Sequence, residues 1–228
     1  SDASFALFQR TVLTGAIFNG VNLHGTVFES VEVPKNVFEL RVQQTTFRKL
    51  DVSHVSMAGV DAKKSLFVQA QLPSDLQKAN LRECRFDSVD LSKCQVTGAN
   101  MCGCSFDKCQ MPLDLQNAQM TRSSLKASHL DHSMLAGADL SESKLVEVWL
   151  PQNMQGVKLV GCDLSNLDLR DRNLSGCNLT RAKLPSELTD VDMTGADCTE
   201  VSIMNAMFGG AVLINSNWSN SNLQGAII

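Results

Sequence analysis

The residues able to do chemistry are few, and their spacing suggests three kinds of site. Eight cysteines include the close set Cys102, Cys104 and Cys109, dense enough to consider as metal ligands or disulfide partners. His129 and His132 bracket Asp131, an imidazole and carboxylate donor set of the kind a metal takes, although a zinc site needs three or four converging ligands. Hydrolytic chemistry would need a nucleophile, base and acid, or two carboxylates, gathered in a cleft. Composition limits the setting. The chain has 228 residues, 20 Lys plus Arg against 24 Asp plus Glu, a net charge of -4 and 43% hydrophobic residues, enough for one ordinary core. This excludes disorder and a nucleic-acid surface built on excess positive charge. The longest charge-free stretch, Val201 to Ile228, is interrupted by Asn205, Asn215, Asn217, Asn220 and Asn222, so no membrane span is expected. With no Tyr and two Trp, an aromatic ligand pocket is not expected either, and no cofactor is implied.

The elements that would position these residues follow a period of five. A large apolar centre recurs from Phe8 through Leu13, Phe18, Leu23 and Phe28, and onward to Ile228. Two residues before it stands a small residue such as Ala79, Cys84, Ala138 or Cys177, and one before it often Asp or Asn, as at Asn80, Asp139 and Asn178. Thirteen of the 14 glycines, all but Gly209, fall three residues before a centre, where a turn needs positive φ or a close backbone approach. A period of five fits neither the 3.6 of a helix nor the 2 of a strand. It fits a solenoid in which each unit forms one side of a coil and turns a corner, stacked at about 4.8 Å.

Breaks in register set the number of sides. Pro34, Pro73, Pro112 and Pro151 are spaced by 39 residues, seven units of five and one of four, and Pro185 follows 34 later. Four sides make 39 residues two coils, one of them tightened at a proline corner. Phe8, Phe28, Phe47, Phe67, Phe86 and Phe106, separated alternately by 20 and 19 residues, then stack on one side, which leucine continues from Leu125. The expected fold is all-β, a four-sided solenoid of parallel stacked coils, about eleven in number and roughly 50 Å long. It is expected to form a single domain over residues 1–228.

The coil answers most of the candidate chemistry. Cys84, Cys94, Cys104, Cys109, Cys162 and Cys177 take the small inward position and Cys198 a centre, leaving Cys102 outside, so buried reduced thiols in a reducing compartment are expected. The flanks of Leu130 are expected to face different ways, so no metal site is predicted at His129 and His132. Charges summed by side run about +3, -5, -2 and +1, the acidic side densest at Glu187 and Asp190. The repeats reach both ends without a helix-like cap, and there is no initiator Met. The expectation is continuation into a neighbouring domain of a longer protein, with an end-to-end homodimer as the alternative. Trp149, beside Pro151, and Phe208 and Trp218, in the charge-free region, are the candidate partner contacts; no catalytic residue is expected.

The units Ala138-Asp139-Leu140-Ser141-Glu142, Cys177-Asn178-Leu179-Thr180-Arg181 and Ala79-Asn80-Leu81-Arg82-Glu83 resemble the A(D/N)LXX motif of the pentapeptide-repeat family. That resemblance implies the right-handed quadrilateral β-helix. The cysteines at the small position and the regular proline corners are most similar to repeat domains of Gram-negative bacterial effectors such as SopA and NleL. This likeness implies a non-catalytic scaffold that binds a protein target, in the bacterial cytoplasm or delivered into a host cytosol, with any ubiquitin-ligase activity elsewhere. The alternative within the family is a DNA-mimicking gyrase-binding protein of the Qnr and MfpA type.

Overall fold

Many corners of the coil are closed by the same turn. The backbone N–H of the small residue donates to the carbonyl of the centre three residues earlier, as in Ala138 to Leu135 (2.8 Å), Cys177 to Leu174 (3.1 Å) and Ala196 to Met193 (3.0 Å). A β-turn whose third residue has positive φ is the type that favours glycine there. That residue lies three before the next centre, which is where Gly137, Gly176 and Gly195 stand, with φ of 71°, 64° and 65°. The Asp or Asn before the centre has a second role. Its side-chain oxygen accepts from the backbone N–H two residues on, in Asp139 to Ser141 (3.0 Å), Asn178 to Thr180 (3.0 Å) and Asp192 to Thr194 (2.9 Å). This Asx turn fixes the approach to the corner and is the physical reason for the D/N position.

The computed structural model describes residues 1–18, 20–34 and 41–228; Val37, the centre expected after Pro34, lies outside them. By contacts the chain forms two compact units, Ser1–Asp114 and Leu115–Ile228. In the first, three-residue strands β1 (Leu7–Gln9), β2 (Val27–Glu29), β3 (Thr46–Arg48), β4 (Leu66–Val68), β5 (Arg85–Asp87) and β6 (Ser105–Asp107) pair in parallel and in order. In the second, β7 (Ser124–Lys126) pairs with β8 (Lys144–Val146). The other sides are held by single parallel bridges. In one coil of the first unit, Asp75, Asn80, Arg85 and Asp90 pair with Gln95, Asn100, Ser105 and Gln110, four sides each offset by twenty residues. The fold is therefore an all-β parallel solenoid with four-sided coils. Among the described residues eight coils carry a strand, fewer than the eleven expected, because beyond Val146 the same side is held by isolated bridges such as Asp163 with Lys183.

The centres form the core. Phe28, Phe47, Phe67, Phe86 and Phe106 are buried, and successive rings from Phe8 to Phe106 stack at 5.0–5.9 Å with interplanar angles of 11° or less. In the second unit, Leu125, Leu130, Leu140, Leu159, Leu164, Leu169 and Leu179 are fully buried. One inner corner is polar. Thr45, Cys84 and Cys104 in the first unit, and Ser143 and Cys162 in the second, each donate to a backbone carbonyl of the preceding coil at 2.7–3.1 Å. Small donors fit here because each finds an acceptor within its own reach, so burial leaves no group unpaired.

Candidate functional site

Solenoid backbone is consumed by turns and coil-to-coil bonds, so function falls to outward side chains. The most distinctive set lies on one side of the second unit. His129 and Trp149 occupy equivalent positions on successive coils, joined by a parallel bridge. Their rings stack at a centroid distance of 4.1 Å and an angle of 2°, and Trp149 remains 48% exposed. Asp131 lies between the two imidazoles: Oδ1 is 3.3 Å from His129 Nδ1, although this buried oxygen accepts no hydrogen bond, and Oδ2 is 3.3 Å from His132 Nε2. The expectation that the flanks of Leu130 diverge is therefore corrected, because the turn brings both imidazoles to one carboxylate. Among the described residues no group of three or more such side chains is placed to hold a metal ion.

The same side continues into an acidic strip. Asp168, Asp171, Glu187 and Asp190 are all exposed, with Arg170 among them. Arg170 grips Asp168 through two contacts of 2.9 Å, and this hydrogen bonding pushes the Asp168 carboxyl down to about 2. Arg172 turns inward instead. Its Nη1 donates to the Leu150 and Pro151 carbonyls at 3.0 and 2.8 Å and its Nε to the Asp168 carbonyl at 2.9 Å. It thereby ties the coil of Asp168 to the shortened corner at Pro151, where the ring supplies no N–H.

The structure separates the other two candidate contacts from Trp149. Phe208, a centre, is only 2% exposed, so its ring belongs to the core. Trp218 is half-buried, edge-on to Phe208 at 5.6 Å, and its Nε1 donates to Ser216 Oγ at 2.9 Å. The stack of His129 on Trp149 was missed in the sequence, although the twenty-residue offset that aligned the phenylalanines also aligns this pair.

All eight cysteines are thiols without disulfides, seven of them buried. Burial pushes Cys84, Cys177 and Cys198 up to about 12, and Cys94, Cys109 and Cys162 to about 11, where thiolate is scarce at neutral pH. Cys102, on a turn, is only partly buried. With iodoacetamide at neutral pH, the native protein is expected to take up one label, at Cys102, and the denatured protein eight. Mass spectrometry of the intact chain distinguishes this from the several native adducts that an open coil would give.

No helix among the described residues is long and apolar enough to cross a membrane. Comparison with known proteins agrees with the repeat. A family model for pentapeptide repeats matches eight copies, over residues 1–31, 74–107, 114–148 and 153–185, more than half of the chain. No curated protein matches the sequence. Among solved structures the chain is similar to HetL, a pentapeptide repeat protein involved in heterocyst differentiation regulation from the cyanobacterium Nostoc sp. strain PCC 7120. Identity is 21%, over 100% of this chain and 89% of that one, with a TM-score of 0.21. It is also similar to Rfr23, a pentapeptide repeat protein from the cyanobacterium Cyanothece 51142, at 22% identity over 48% of this chain and 63% of that one, TM-score 0.21. QnrB1, a plasmid-mediated fluoroquinolone resistance protein, matches at 12% identity over 100% of this chain and 93% of that one, TM-score 0.20. None of these likenesses bears on a partner or an activity. The five-residue corners, the four parallel ladders of a coil and the family match converge on one assignment: the chain belongs to the pentapeptide repeat family.

Proposed function

We propose that the chain is a non-catalytic, rigid scaffold that docks a protein partner, the target- or substrate-recognition part of a secreted bacterial effector. Any ubiquitin-ligase activity would reside outside these residues, and the setting would be a reducing cytosol, bacterial or host. The observation that carries the docking role is Trp149, a large ring stacked flat on His129 yet half in solvent, because exposed, pre-oriented Trp is the side chain most enriched among interface hot spots. The effector setting rests on the sequence resemblance, and the eight unbridged thiols suit a reducing compartment.

The test is photo-crosslinking in cells, with a benzophenone side chain placed singly at Trp149 and at exposed positions on other sides, such as Lys158 and Gln155. A discrete protein adduct confined to position 149 is expected. Adducts spread evenly over all sides, or none, would count against a docking surface here. The acidic strip also favours a second reading, a gyrase-binding mimic of DNA. Protection of gyrase in a supercoiling assay at stoichiometric protein would displace the effector reading.

A further inference from the structure

The side of the second unit that bears Trp149 carries a specific imbalance of charge. Arg170 pairs with Asp168 and also lies within electrostatic reach of Asp171 and Glu187, and Arg172 is spent on backbone carbonyls, so this side keeps four carboxylates against one outward guanidinium. Among the described residues no lysine or arginine makes an ion pair with Asp171, Glu187 or Asp190, all exposed on the two coils that follow Trp149. The coils are sewn together along this side, Arg172 linking the Pro151 corner to Asp168, and Asp171 N–H donating to the Thr189 carbonyl at 3.1 Å. Stacked at about 4.8 Å, three coils span about 10 Å, the length of roughly three extended residues. One ring face of Trp149 is covered by His129, while nearly half of the side chain stays open to solvent.

We infer that this side docks a basic linear segment of a protein, with an arginine or lysine stacked on Trp149 and further basic side chains meeting Asp171, Glu187 and Asp190. The inference rests on the protein-binding reading above and adds the chemistry of the partner. An aromatic face attracts a cation, and a guanidinium sheds its water most readily. The carboxylates, on successive coils of a fixed frame, draw a positive segment in and set its register. A nucleic acid or an anionic membrane would be repelled by the same strip.

The test uses the whole chain and a fluorescein-labelled hexa-arginine peptide, followed by anisotropy at low salt, with hexa-glutamate as the control. Saturable binding of hexa-arginine alone is expected, weakening steeply as salt is raised. Trp149→Leu should weaken it about tenfold. The double variant Glu187→Gln with Asp190→Asn should weaken it about tenfold, and Glu142→Gln with Glu200→Gln, which removes the same charge elsewhere in the unit, less than twofold. Equal losses in the two double variants, no loss with Trp149→Leu, or no binding at all would overturn the inference. Should Trp149→Leu fail to fold, the comparison of the double variants decides. A crosslinked partner at position 149 whose contact segment lacks basic residues would overturn this inference and leave the protein-binding reading standing.

Discussion

Phe67→Ala is expected to cost about 3–5 kcal/mol, read from urea denaturation, a large share of the 5–15 kcal/mol that holds an ordinary domain together. Phe67 is fully buried, with Phe47 at 5.0 Å on one side and Phe86 at 5.1 Å on the other. Truncation removes its burial and both ring contacts, and opens a void that neighbours locked into coil-to-coil bonding cannot close. Stacked aromatic pairs add about 0.5–1.5 kcal/mol each beyond burial, so Phe67→Leu, which restores most of the volume but neither stack, should recover only part of the loss. A cost below about 1 kcal/mol for Phe67→Ala would show that the column adapts, contrary to a close-packed core.

Acid should loosen the second unit through its Asx turns. Hydrogen bonds lower four of its carboxyls from an ordinary value of 3.8: Asp163 through the hydroxyl of Ser165 and then Lys183, Asp168 through Arg170, Asp192 through Thr194, and Asp197 through Thr199. A folded-state value below the unfolded one means the unfolded chain binds more protons in the acid range. The stabilisation is present above the unfolded value near 3.8 and is lost as pH falls toward the folded values, about 2 for Asp168. The thermal midpoint is expected to be level with respect to these groups near pH 5 to 7 and to fall by several degrees between about pH 4 and pH 2. Asp163 and Asp168 are exposed and Asp192 and Asp197 half-buried, so solvent screening keeps the individual contributions small and the effect is their sum. Asparagine can accept the same backbone bond, as Asn173 does from Ser175 N–H at 2.9 Å. Changing all four to Asn should therefore keep the fold and flatten the acid limb; an unchanged limb would place the sensitivity elsewhere.

Much of this architecture is legible because the coil repeats its demands. The alternating 20 and 19 spacing of Phe28, Phe47, Phe67 and Phe86 revealed one side of the coil, and those rings do stack. The inward cysteines were read for the same reason: a thiol two residues before a centre has nowhere else to point. Other features leave little trace. Lys78, Glu83, Arg122, Glu142, Arg181 and Glu200 adopt the left-handed conformation, with φ between 57° and 60°, at the turn position glycine fills elsewhere. Nothing in a lysine or glutamate advertises this, since the frame of coil-to-coil bonds imposes a conformation the residue itself disfavours. The Asx turn was half visible: Asp and Asn were seen before the centre, but the bond needs the backbone of the residue two further on. Phe208 shows the converse. Its place as a centre already assigned it to the interior, and the richness of apolar residues around it suggested a surface contact instead.

The bridge registers also govern how such a chain can change length. Glu187, Met207 and Ile227 pair in steps of twenty, while Asn173 and Asp192 pair in a step of nineteen. Losing or gaining one residue outside a corner would carry every later centre off its side and turn core residues outward. Tolerated length changes should therefore come in whole turns of the coil, about nineteen or twenty residues at a time, each bringing its own row of outward side chains. Growth by such quanta lets a lineage lengthen or rewrite its recognition surface one row at a time without renegotiating the interior, so relatives of this chain should differ from it in steps and seldom by ones and twos.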